Sequence, residues 1–562
     1  MKAKKIMAAF LAVVMTGSVA AGLAACDRRT STERPIDESK TTLYVSNYNG
    51  GYGTEWLYQV RDKFEEAYKD TPFEEGKVGV QVEIRANKNK AQSINFATET
   101  NDIFFTEEVK YFDLVSQGRL LDITDVVEDV IAQEGVDLTD LQKTGLRYNG
   151  KYYALPHYET AFAINYDKDY FHNEKLYKDE SGNWCNSDGD LSVGPDGQPE
   201  TYDDGLPATM EEFFELCDYI KNVKKHDPLI ITGESVSKYS TNLVNRIAAA
   251  YNGYDVTQAF YTFDAENVEY VTSVEKAPDT TLGYTYKTAL AEKIDNSNGY
   301  LLQQTTGKLY GLAFLEKMLQ NWNNNQTYFD AQGKAGTTTM LQAQEYFINS
   351  RLINEPIAML LDGIWWENEA SDAFTRSEDL YGSQAKKENR HFGIMPIPVR
   401  IDENDDNPNG NPNVAIDMYM SYGFIKSNIS ESKIKAAKEF LKFCYSAENL
   451  SEFTRITGAA RALEYELADG VYEGLSDYGK DVWDMHVSGM NVAQLSSNPL
   501  FYENEETFDS LELLTTDYAT YPYTKFVDTN DPVTADEWFK KTWKWNETTW
   551  KEEFDQYITA AA

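Results

Sequence analysis

An acidic, glycine-rich segment spanning residues 180–208 carries side chains suited to holding a metal ion. Calcium takes about six to eight oxygen ligands. The segment supplies candidate oxygens at Asp188, Asp190, Ser192, Asp196, Asp203 and Asp204. The first three are spaced like the start of an EF-hand loop, but Val193 stands where that loop has glycine, and Pro199 where it has glutamate. A calcium loop of another kind and a solvated acidic loop without metal both fit.

Motifs of enzymatic catalysis do not occur in the sequence. Its five histidines, at 157, 172, 226, 391 and 486, are scattered and lack metal-ligand spacing. There is no G-x-S-x-G elbow and no P-loop, and Gly50-Gly51-Tyr52-Gly53 does not have the spacing of a dinucleotide-binding turn. The sequence therefore predicts a protein without enzymatic activity and without a cofactor, structural calcium aside.

The N-terminus has the pattern of a secretory signal. A lysine-containing start at residues 2–5 precedes an apolar stretch at 6–21, which is shorter than the roughly 20 residues of a membrane span. Leu23-Ala24-Ala25-Cys26 then resembles a lipobox, the signature of bacterial lipoproteins. That resemblance implies removal of residues 1–25 and lipidation of Cys26, with residues 26–40 as a polar, flexible tether. An ordinary secretory signal is the alternative.

Composition excludes several classes of partner. The formal charge is −39, and removal of the three signal lysines makes it more negative, so nucleic acid and anionic lipid are repelled. The content of 42% hydrophobic and 13% aromatic residues is enough for a large core. Of the four cysteines, Cys26 is taken by lipid, and the other three are odd in number and far apart, which argues against a disulfide scaffold.

Strand and helix patterns alternate along the chain and predict an α/β fold. Residues 42–46 form a predicted strand, followed by a glycine-rich turn and a helix at 55–68. Further strands are predicted at 78–84 and 102–105, so the arrangement is that of a parallel sheet, whose ligands lie beyond the carboxyl ends of the strands. The pattern also predicts an Asn-Gly hairpin at 148–156, strands at 359–361 and 391–398, and helices at 209–225, 239–251, 307–321 and 335–350.

Several segments together resemble the extracellular solute-binding proteins of carbohydrate ABC importers, the maltose-binding-protein-like group. Besides the lipobox and the strand–turn–helix of 42–68, they are Tyr152–Pro156, Ala163–Lys168, Ala358–Trp365, Phe392–Pro398, Ala436–Leu441 and Thr457-Gly458. Their order and their spread over the chain carry the resemblance. The length exceeds that of the family, and the segments 180–208 and 255–300 account for part of the excess.

The resemblance implies two lobes that close on a sugar held in the cleft between them. Predicted boundaries are 41–160 for the first lobe, 161–400 mainly for the second lobe, and 401–562 for a helical part that returns between the lobes. A sugar offers an apolar face for aromatic rings and hydroxyls for polar groups. The strongest candidates are Asp362, Trp365 and Trp366, with one of the two tryptophans facing the cleft. Further candidates are Asn49, Tyr52, Glu107, Tyr158, Glu159, Tyr251, Asn252 and Arg461.

The implied function is capture of a carbohydrate, with an oligosaccharide favoured by the many aromatic residues, and delivery to ABC permease subunits. The protein is expected to be a monomer on the outer face of the cell membrane. A secreted carbohydrate-active hydrolase is the alternative from another class, and an oligopeptide receptor is the alternative among binding proteins.

Overall fold

The computed structural model describes residues 34–416, 420–508 and 521–560. The strands, labelled in chain order, are β1 Thr41–Tyr48, β2 Val80–Asn87, β3 Ile103–Thr106, β4 Val136–Asp137, β5 Arg147–Tyr148, β6 Lys151–Tyr152, β7 Leu155–Pro156, β8 Phe162–Asp167, β9 Tyr177–Lys178, β10 Trp184–Cys185, β11 Asp227–Ile231, β12 Ala265–Lys276, β13 Tyr284–Ile294, β14 Ile357–Gly363, β15 Phe392–Met395, β16 Val414–Ile416, β17 Tyr422–Ile425, β18 Glu464–Tyr465 and β19 Met490–Val492.

The α-helices separate and cover these strands. They span Glu55–Ala67, Tyr111–Ser116, Thr124–Ile131, Asp140–Gly145, Lys168–Glu174, Met210–Tyr219, Val236–Thr262, Thr306–Met318, Met340–Ser350, Trp366–Glu369, Ser371–Tyr381, Ile434–Cys444, Ala447–Thr457, Asp477–Ser488, Pro499–Tyr502, Glu505–Phe508, Pro522–Phe526, Ala535–Lys541 and Glu547–Ala560. The mixed α/β class predicted from the sequence is confirmed.

A five-stranded sheet in the order β2-β1-β3-β17-β7 forms the first lobe. β1 pairs in parallel with β2 and β3, while β17 is antiparallel to both β3 and β7. Val80, Val82 and Ile84 of β2 are buried on one face, as their alternation predicts. Val78 was expected on the same face, but it precedes the strand and is 55% exposed.

A four-stranded sheet in the order β11-β14-β8-β15 forms the second lobe. β11 and β14 are parallel, and β8 is antiparallel to both β14 and β15. All seven residues of β14 are buried, because this strand lies between β11 and β8 with cores packed on both faces of the sheet. The predicted strand at 359–361 is therefore confirmed and is longer than its apolar run.

The chain crosses between these two lobes at 157–161, between β15 and β17, and at 466–476. The first crossing joins β7 to β8, and the second joins β15 to β17. The third joins β18, which pairs with β4, to the helix Asp477–Ser488, whose Asp481 accepts a hydrogen bond from the backbone N–H of Ile394 in β15. Because β17 lies inside the first sheet, the part of the chain beyond residue 401 supplies a central strand of that lobe as well as helices.

The predicted Asn-Gly hairpin is confirmed. β5 and β6 pair antiparallel, and the two turn residues Asn149 and Gly150 have φ values of 52° and 79°. Positive φ at both central positions is the requirement of a type I′ turn, which asparagine and glycine meet at low cost.

A long antiparallel ribbon of β12 and β13 had no counterpart in the sequence prediction. Its buried residues in β12 are Ala265, Val268, Val271 and Val274, which recur every third position rather than every second. A register irregularity between Val271 and Ser273 shifts the pairing, and such irregularities twist a strand and disturb its alternation. The ribbon rests on the helices Val236–Thr262 and Thr306–Met318 and on the turn 299–304, and these buried side chains belong to the core of the second lobe.

Candidate functional site

Two strand-to-helix turns, one from each lobe, meet around the side chain of Trp365. In the first lobe β1 ends in the turn 49–53, and in the second lobe β14 ends at Gly363. A Cβ on Gly51 would lie 2.7 Å from the Cβ of Trp365, and a Cβ on Gly363 would lie 2.1 Å from its Cη2. The indole therefore occupies space that is open only because both positions are glycine. We call this place the lobe junction.

A hydrogen bond joins the lobes beside this indole. The Nδ2 of Asn368 donates to the carbonyl oxygen of Gly51 at 2.7 Å. Trp365 is only 7% exposed and belongs to the apolar cluster of the first lobe, although its backbone lies in the second. Among the two tryptophans proposed from the sequence, Trp365 is therefore the one at the junction.

Trp366 points the other way and is a core residue of the second lobe. It is 0% exposed and packs against the rings of Phe347, Phe392 and Tyr478. Adjacent side chains at the start of a helix diverge by about 100°, so only one of the pair reaches the junction. The sequence predicted that one of the two tryptophans faces the cleft and named both as candidates; the structure removes Trp366 from that list.

Asp362 lies directly behind the junction as part of a carboxylate pair. Its Oδ1 accepts from the backbone N–H of Gly363 at 2.7 Å, and its Oδ2 accepts from Nε2 of Gln344 at 2.9 Å. The same Nε2 donates to Oε2 of Glu369, also at 2.9 Å. Burial, and then the charge of Glu369, raise the pKa of Asp362.

Glu107 and Tyr158 face the junction region from the first lobe and bond each other. The Tyr158 hydroxyl donates to Oε1 of Glu107 at 2.5 Å, and Nζ of Lys90 lies 3.1 Å from Oε2 of Glu107. Lys90 also pairs with Glu108 at 2.7 Å and lies over the ring of Tyr48. Burial raises the pKa of Glu107 despite this cation. Burial, and then the charge of Glu107, raise the pKa of Tyr48, and Glu369 acts in the same direction.

Glu159 lies in the crossing at 157–161, and Tyr52 of the turn 49–53 contacts it. Oε1 of Glu159 lies 2.9 Å from Nδ1 of His486 and accepts from Nδ2 of Asn491 at 2.6 Å, which ties the crossing to the second lobe. The Tyr52 hydroxyl donates to the backbone carbonyl of Glu159 at 3.1 Å. Burial opposes protonation of His486, but attraction by Glu159 outweighs it and raises the pKa of the imidazole. These residues hold the hinge.

Arg461 and Asn49 differ in their distance from the junction. Arg461 is wholly buried in the first lobe among the rings of Trp56, Phe453 and Tyr445, and it bonds His157. Burial lowers the pKa of Arg461 and that of His157. The structure therefore makes Arg461 a core residue rather than a ligand contact. Asn49 lies in the junction turn, half-buried, where its Oδ1 accepts from the Thr54 hydroxyl at 3.4 Å.

Tyr251 and Asn252 support the second lobe. Gly253, with φ 75°, breaks the helix Val236–Thr262, and a Cβ there would meet the carbonyl of Asn409 at 2.1 Å. Asn252 accepts from the backbone N–H of Gly307 at 3.0 Å, and the ring of Tyr251 packs edge-on against Tyr310. The structure does not bring these two residues to the junction around Trp365.

The acidic segment 180–208 is held together by its own carboxylates. Asp203 is buried and accepts from the Thr201 hydroxyl at 2.6 Å and from the backbone N–H of Asp196 at 3.0 Å; burial raises its pKa to about 6. Asp204 accepts from the backbone N–H of Glu200, and Asp188 is bonded by Asn186. Within the described residues, no three His, Cys, Asp or Glu side chains are grouped so as to hold a metal ion.

The sequence analysis did not name four residues that the structure places at or next to the junction: Lys90, Gln344, Asn368 and Glu369. Asn368 and Glu369 follow the tryptophan pair within one helical turn, so proximity to that motif was a usable signal. Lys90 and Gln344 carry no such signal, because they reach the region only through the packing of their lobes. Cys26 lies outside the described residues, and Cys185, Cys217 and Cys444 are free, as expected.

Two α/β lobes joined by several crossings, with polar and aromatic groups where the lobes meet, are typical of ligand-binding proteins whose lobes close by a hinge. The family model for the bacterial extracellular solute-binding protein matches residues 60–468. The chain belongs to this family, which confirms the resemblance found in the sequence. No curated protein gave a match.

Solved structures agree on the fold. The raffinose complex of the solute-binding protein RafE has a TM-score of 0.51 at 14% identity, covering 90% of this chain and 100% of the other. The GacH receptor of Streptomyces glaucescens, whose structure is known in complex with acarbose, has a TM-score of 0.52 at 12% identity; the match covers 92% of this chain and 99% of the receptor. A structure from work on xylan utilisation by Caldanaerobius polysaccharolyticus has a TM-score of 0.53 at 15% identity; the match covers 90% of this chain and 99% of the other. The two-lobed fold is thereby confirmed. In the parts of the chain that the structure describes, we find no helix with the length and apolarity of a membrane span.

Proposed function

We propose that this protein binds an oligosaccharide at the lobe junction and delivers it unchanged to the permease subunits of an ABC importer. The observation that carries the proposal is the indole of Trp365 held between glycine turns of the two lobes. Structures with the same fold include raffinose, acarbose and xylan-related binding proteins, which supports a carbohydrate as the ligand class.

The junction has the chemistry that a sugar requires. A pyranose stacks its apolar face on an aromatic ring, and Trp365 and Tyr48 supply rings. Its hydroxyls bond carboxylates and amides, which Glu369, Asn368 and Glu107 provide. Closure around a ligand removes water, and hydrogen bonds in a dry site are stronger than in bulk solvent.

Calorimetry with a panel of oligosaccharides tests the function. We expect saturable binding to at least one of them and no cleavage products after prolonged incubation. Product formation would establish the alternative of a carbohydrate-active hydrolase, and binding of peptides in place of sugars would establish an oligopeptide receptor. Either result would refute the proposal.

Trp365→Ala tests the location of the site. Loss of a stacked indole weakens binding of the panel's best ligand by about 1–3 kcal/mol. Trp184→Ala is the matched control. Trp184 lies in β10, within the insertion, and stacks on Tyr219, so its substitution is expected to leave the affinity for the sugar unchanged. Wild-type affinity in Trp365→Ala would remove the junction as the site.

Attachment to the membrane is a separate part of the proposal. Cys26 carries the lipid, and the folded monomer works on the outer face of the cell membrane. The tether is shorter than the predicted 26–40, because Arg34 already pairs with Glu65 and Glu83 of the first lobe, and the backbone N–H of Asp37 donates to Gln81. Cys26→Ala releases the protein into the medium or leaves it unprocessed, whereas Cys185→Ala leaves it membrane-bound. Fractionation of cells that express the two variants tests this.

Calcium binding by the 180–208 segment stays a prediction. Asp188, Asp190 and Asp196 keep carboxylate oxygens available, and backbone carbonyls complete such sites in other loops. If calcium is structural, a chelator lowers the melting temperature and added calcium restores it. An unchanged melting temperature would leave a solvated acidic loop.

A further inference from the structure

The carboxylates of Asp362 and Glu369 form a pair with unusual electrostatics. Both accept from the same nitrogen, Nε2 of Gln344, at 2.9 Å each. Their oxygens are therefore within about 6 Å of each other. Asp362 is buried and Glu369 is half-buried, so Glu369 is the member that a ligand reaches.

The negative charge of this pair is not balanced locally. Neither carboxylate forms an ion pair with any residue of the described chain, whereas Glu107 and Glu108 share the cation of Lys90. Burial raises the pKa of both carboxyl groups, and Glu107 raises that of Glu369 further; Lys88, which opposes this, is exposed to solvent. Two nearby carboxyl groups without a cation resist simultaneous ionisation.

Gln344 adds an unsatisfied acceptor to this place. Its side chain is wholly buried, and Oε1 has no hydrogen-bond partner among the described residues, although Nε2 of the same amide bonds both carboxylates. A buried acceptor without a donor has lost its hydrogen bonds with water and gained none in return, which is unfavourable. The carboxylate pair and this oxygen together form an acceptor-rich place that a hydrogen-bond donor with positive charge would complement.

The pair borders the lobe junction. Glu369 follows Asn368, whose amide bonds Gly51 of the first lobe. Asp362 precedes Gly363, over which the indole of Trp365 lies. A sugar ring at the junction therefore has one edge beside Glu369.

We propose that the bound oligosaccharide contains an amino sugar with a free amino group, whose ammonium contacts Glu369, with Asp362 supplying a second negative charge behind it. The inference rests on the proposed carbohydrate function and specifies its substrate class. An ammonium brings three donors and one positive charge, and charge-assisted hydrogen bonds to carboxylates are the strong ones. An N-acetylated sugar of the same backbone has neither the charge nor more than one N–H.

Calorimetry with two matched ligands tests the proposal: glucosamine oligomers and their fully N-acetylated counterparts, at about pH 6.5, below the pKa of an ordinary α-amine. We expect the amine form to bind on the order of tenfold to hundredfold more tightly, the range of one charge-assisted hydrogen bond. We also expect the carboxyl pair to release protons when the amine ligand binds but not when the acetylated ligand binds. The dependence of the binding heat on the buffer measures this release.

Glu369→Gln tests the residue. This isosteric change removes the charge, so we expect it to abolish the preference for the amine: the affinities of the variant for the amine and the acetylated oligomers become equal within about threefold. Glu378→Gln is the control: Glu378 pairs with Lys386 on the surface, so the substitution changes the net charge equally without touching the junction. If Glu369→Gln does not fold, the proton-release measurement on the wild type decides alone.

The outcomes separate this inference from the function on which it rests. Equal or tighter binding of acetylated or other neutral oligosaccharides, without proton release, would overturn the amino-sugar inference and leave carbohydrate capture intact. Binding of lysine oligomers in place of every saccharide would overturn both, as would failure to bind any of these ligands or any sugar of the panel.

Discussion

At the scale of single residues, the lobe junction depends on two glycines, which have no side chain. Gly51 and Gly363 leave the space that the indole of Trp365 fills. Protein interiors are packed so closely that one added methyl group changes the stability of the fold. The position of a large aromatic ring is thus determined by two of the smallest residues, one from each lobe.

Gly51→Ala is expected to separate the lobes locally. The new Cβ would lie 2.7 Å from the Trp365 Cβ and 2.8 Å from its Cδ1, and overpacking of this kind costs about 1–3 kcal/mol. Ligand affinity then falls about tenfold, since 1.4 kcal/mol corresponds to that factor. Calorimetry measures it.

Gly336→Ala is the control, because a Cβ there meets nothing within 4 Å. Equal affinities of the two variants would show that contact between Gly51 and Trp365 does not matter for binding.

At the hinge, His486 and Glu159 form an ionisable contact. The imidazole is also packed by the rings of Trp483 and Tyr465, and Asn491 donates to the same Oε1 of Glu159. Since the pKa of His486 is raised by Glu159 against the effect of burial, folding favours the imidazolium. This contribution to stability is complete below the unfolded pKa of about 6.5 and is lost as pH rises through the higher folded-state value.

His486→Gln is expected to remove that pH dependence. At about pH 6 the variant loses about 1–3 kcal/mol of unfolding free energy, the cost of breaking a buried charged hydrogen bond. The difference from wild type shrinks as pH rises to about 8. Urea unfolding at several pH values measures it.

His172→Gln serves as control, because His172 lies at the surface, where its Nδ1 bonds Ser187 and its Nε2 is 4.0 Å from the exposed carboxylate of Asp188. A difference between His486→Gln and wild type that is constant over pH would exclude the ion pair.

At the scale of elements, the ribbon of β12 and β13 enlarges the second lobe and is attached on one side. Val268 and Val271 lie in the core, whereas Leu290 on the opposite strand is 58% exposed. A two-stranded ribbon is marginal by itself, so packing on the helix Thr306–Met318 must stabilise it.

Val268→Ala is therefore expected to lower the unfolding free energy by about 1–3 kcal/mol, through lost burial and a residual cavity. Leu290→Ala removes a larger side chain but changes stability by less than about 0.5 kcal/mol, since it is exposed. Chemical unfolding of both variants tests this. The reverse order would mean that the ribbon packs through its other face.

At the scale of the whole molecule, the chain joins the two lobes at 157–161, between β15 and β17, and at 466–476, and Trp365 and Asn368 of the second lobe contact Gly51 of the first. Each ligand that binds both lobes favours the closed arrangement by its differential affinity.

Small-angle X-ray scattering of the protein with and without a saturating oligosaccharide tests closure. The radius of gyration is expected to fall on binding, while a sugar that does not bind in calorimetry leaves it unchanged. The same radius in both states would contradict hinge closure as the mode of capture.

The sequence was sufficient for features that depend on local order. Hydrophobic periodicity predicted β1, the helix Glu55–Ala67 and β14, and the Asn-Gly pair predicted the hairpin turn with its positive φ values. The segments that resemble the solute-binding family gave the two-lobed class. These features depend on neighbours in the chain, whose spacing the sequence shows directly.

Only the tertiary structure decided which residues share the junction. The sequence treated Trp365 and Trp366 alike, but packing sends one to the junction and the other into the core beside Phe347. Arg461 is a candidate by type and a core residue by position, while Gln344 joins two carboxylates that the sequence does not pair. Which side chains contact each other across a lobe boundary depends on how distant segments of the chain pack together. Composition and periodicity describe only the residues near each position, so they do not predict such a contact.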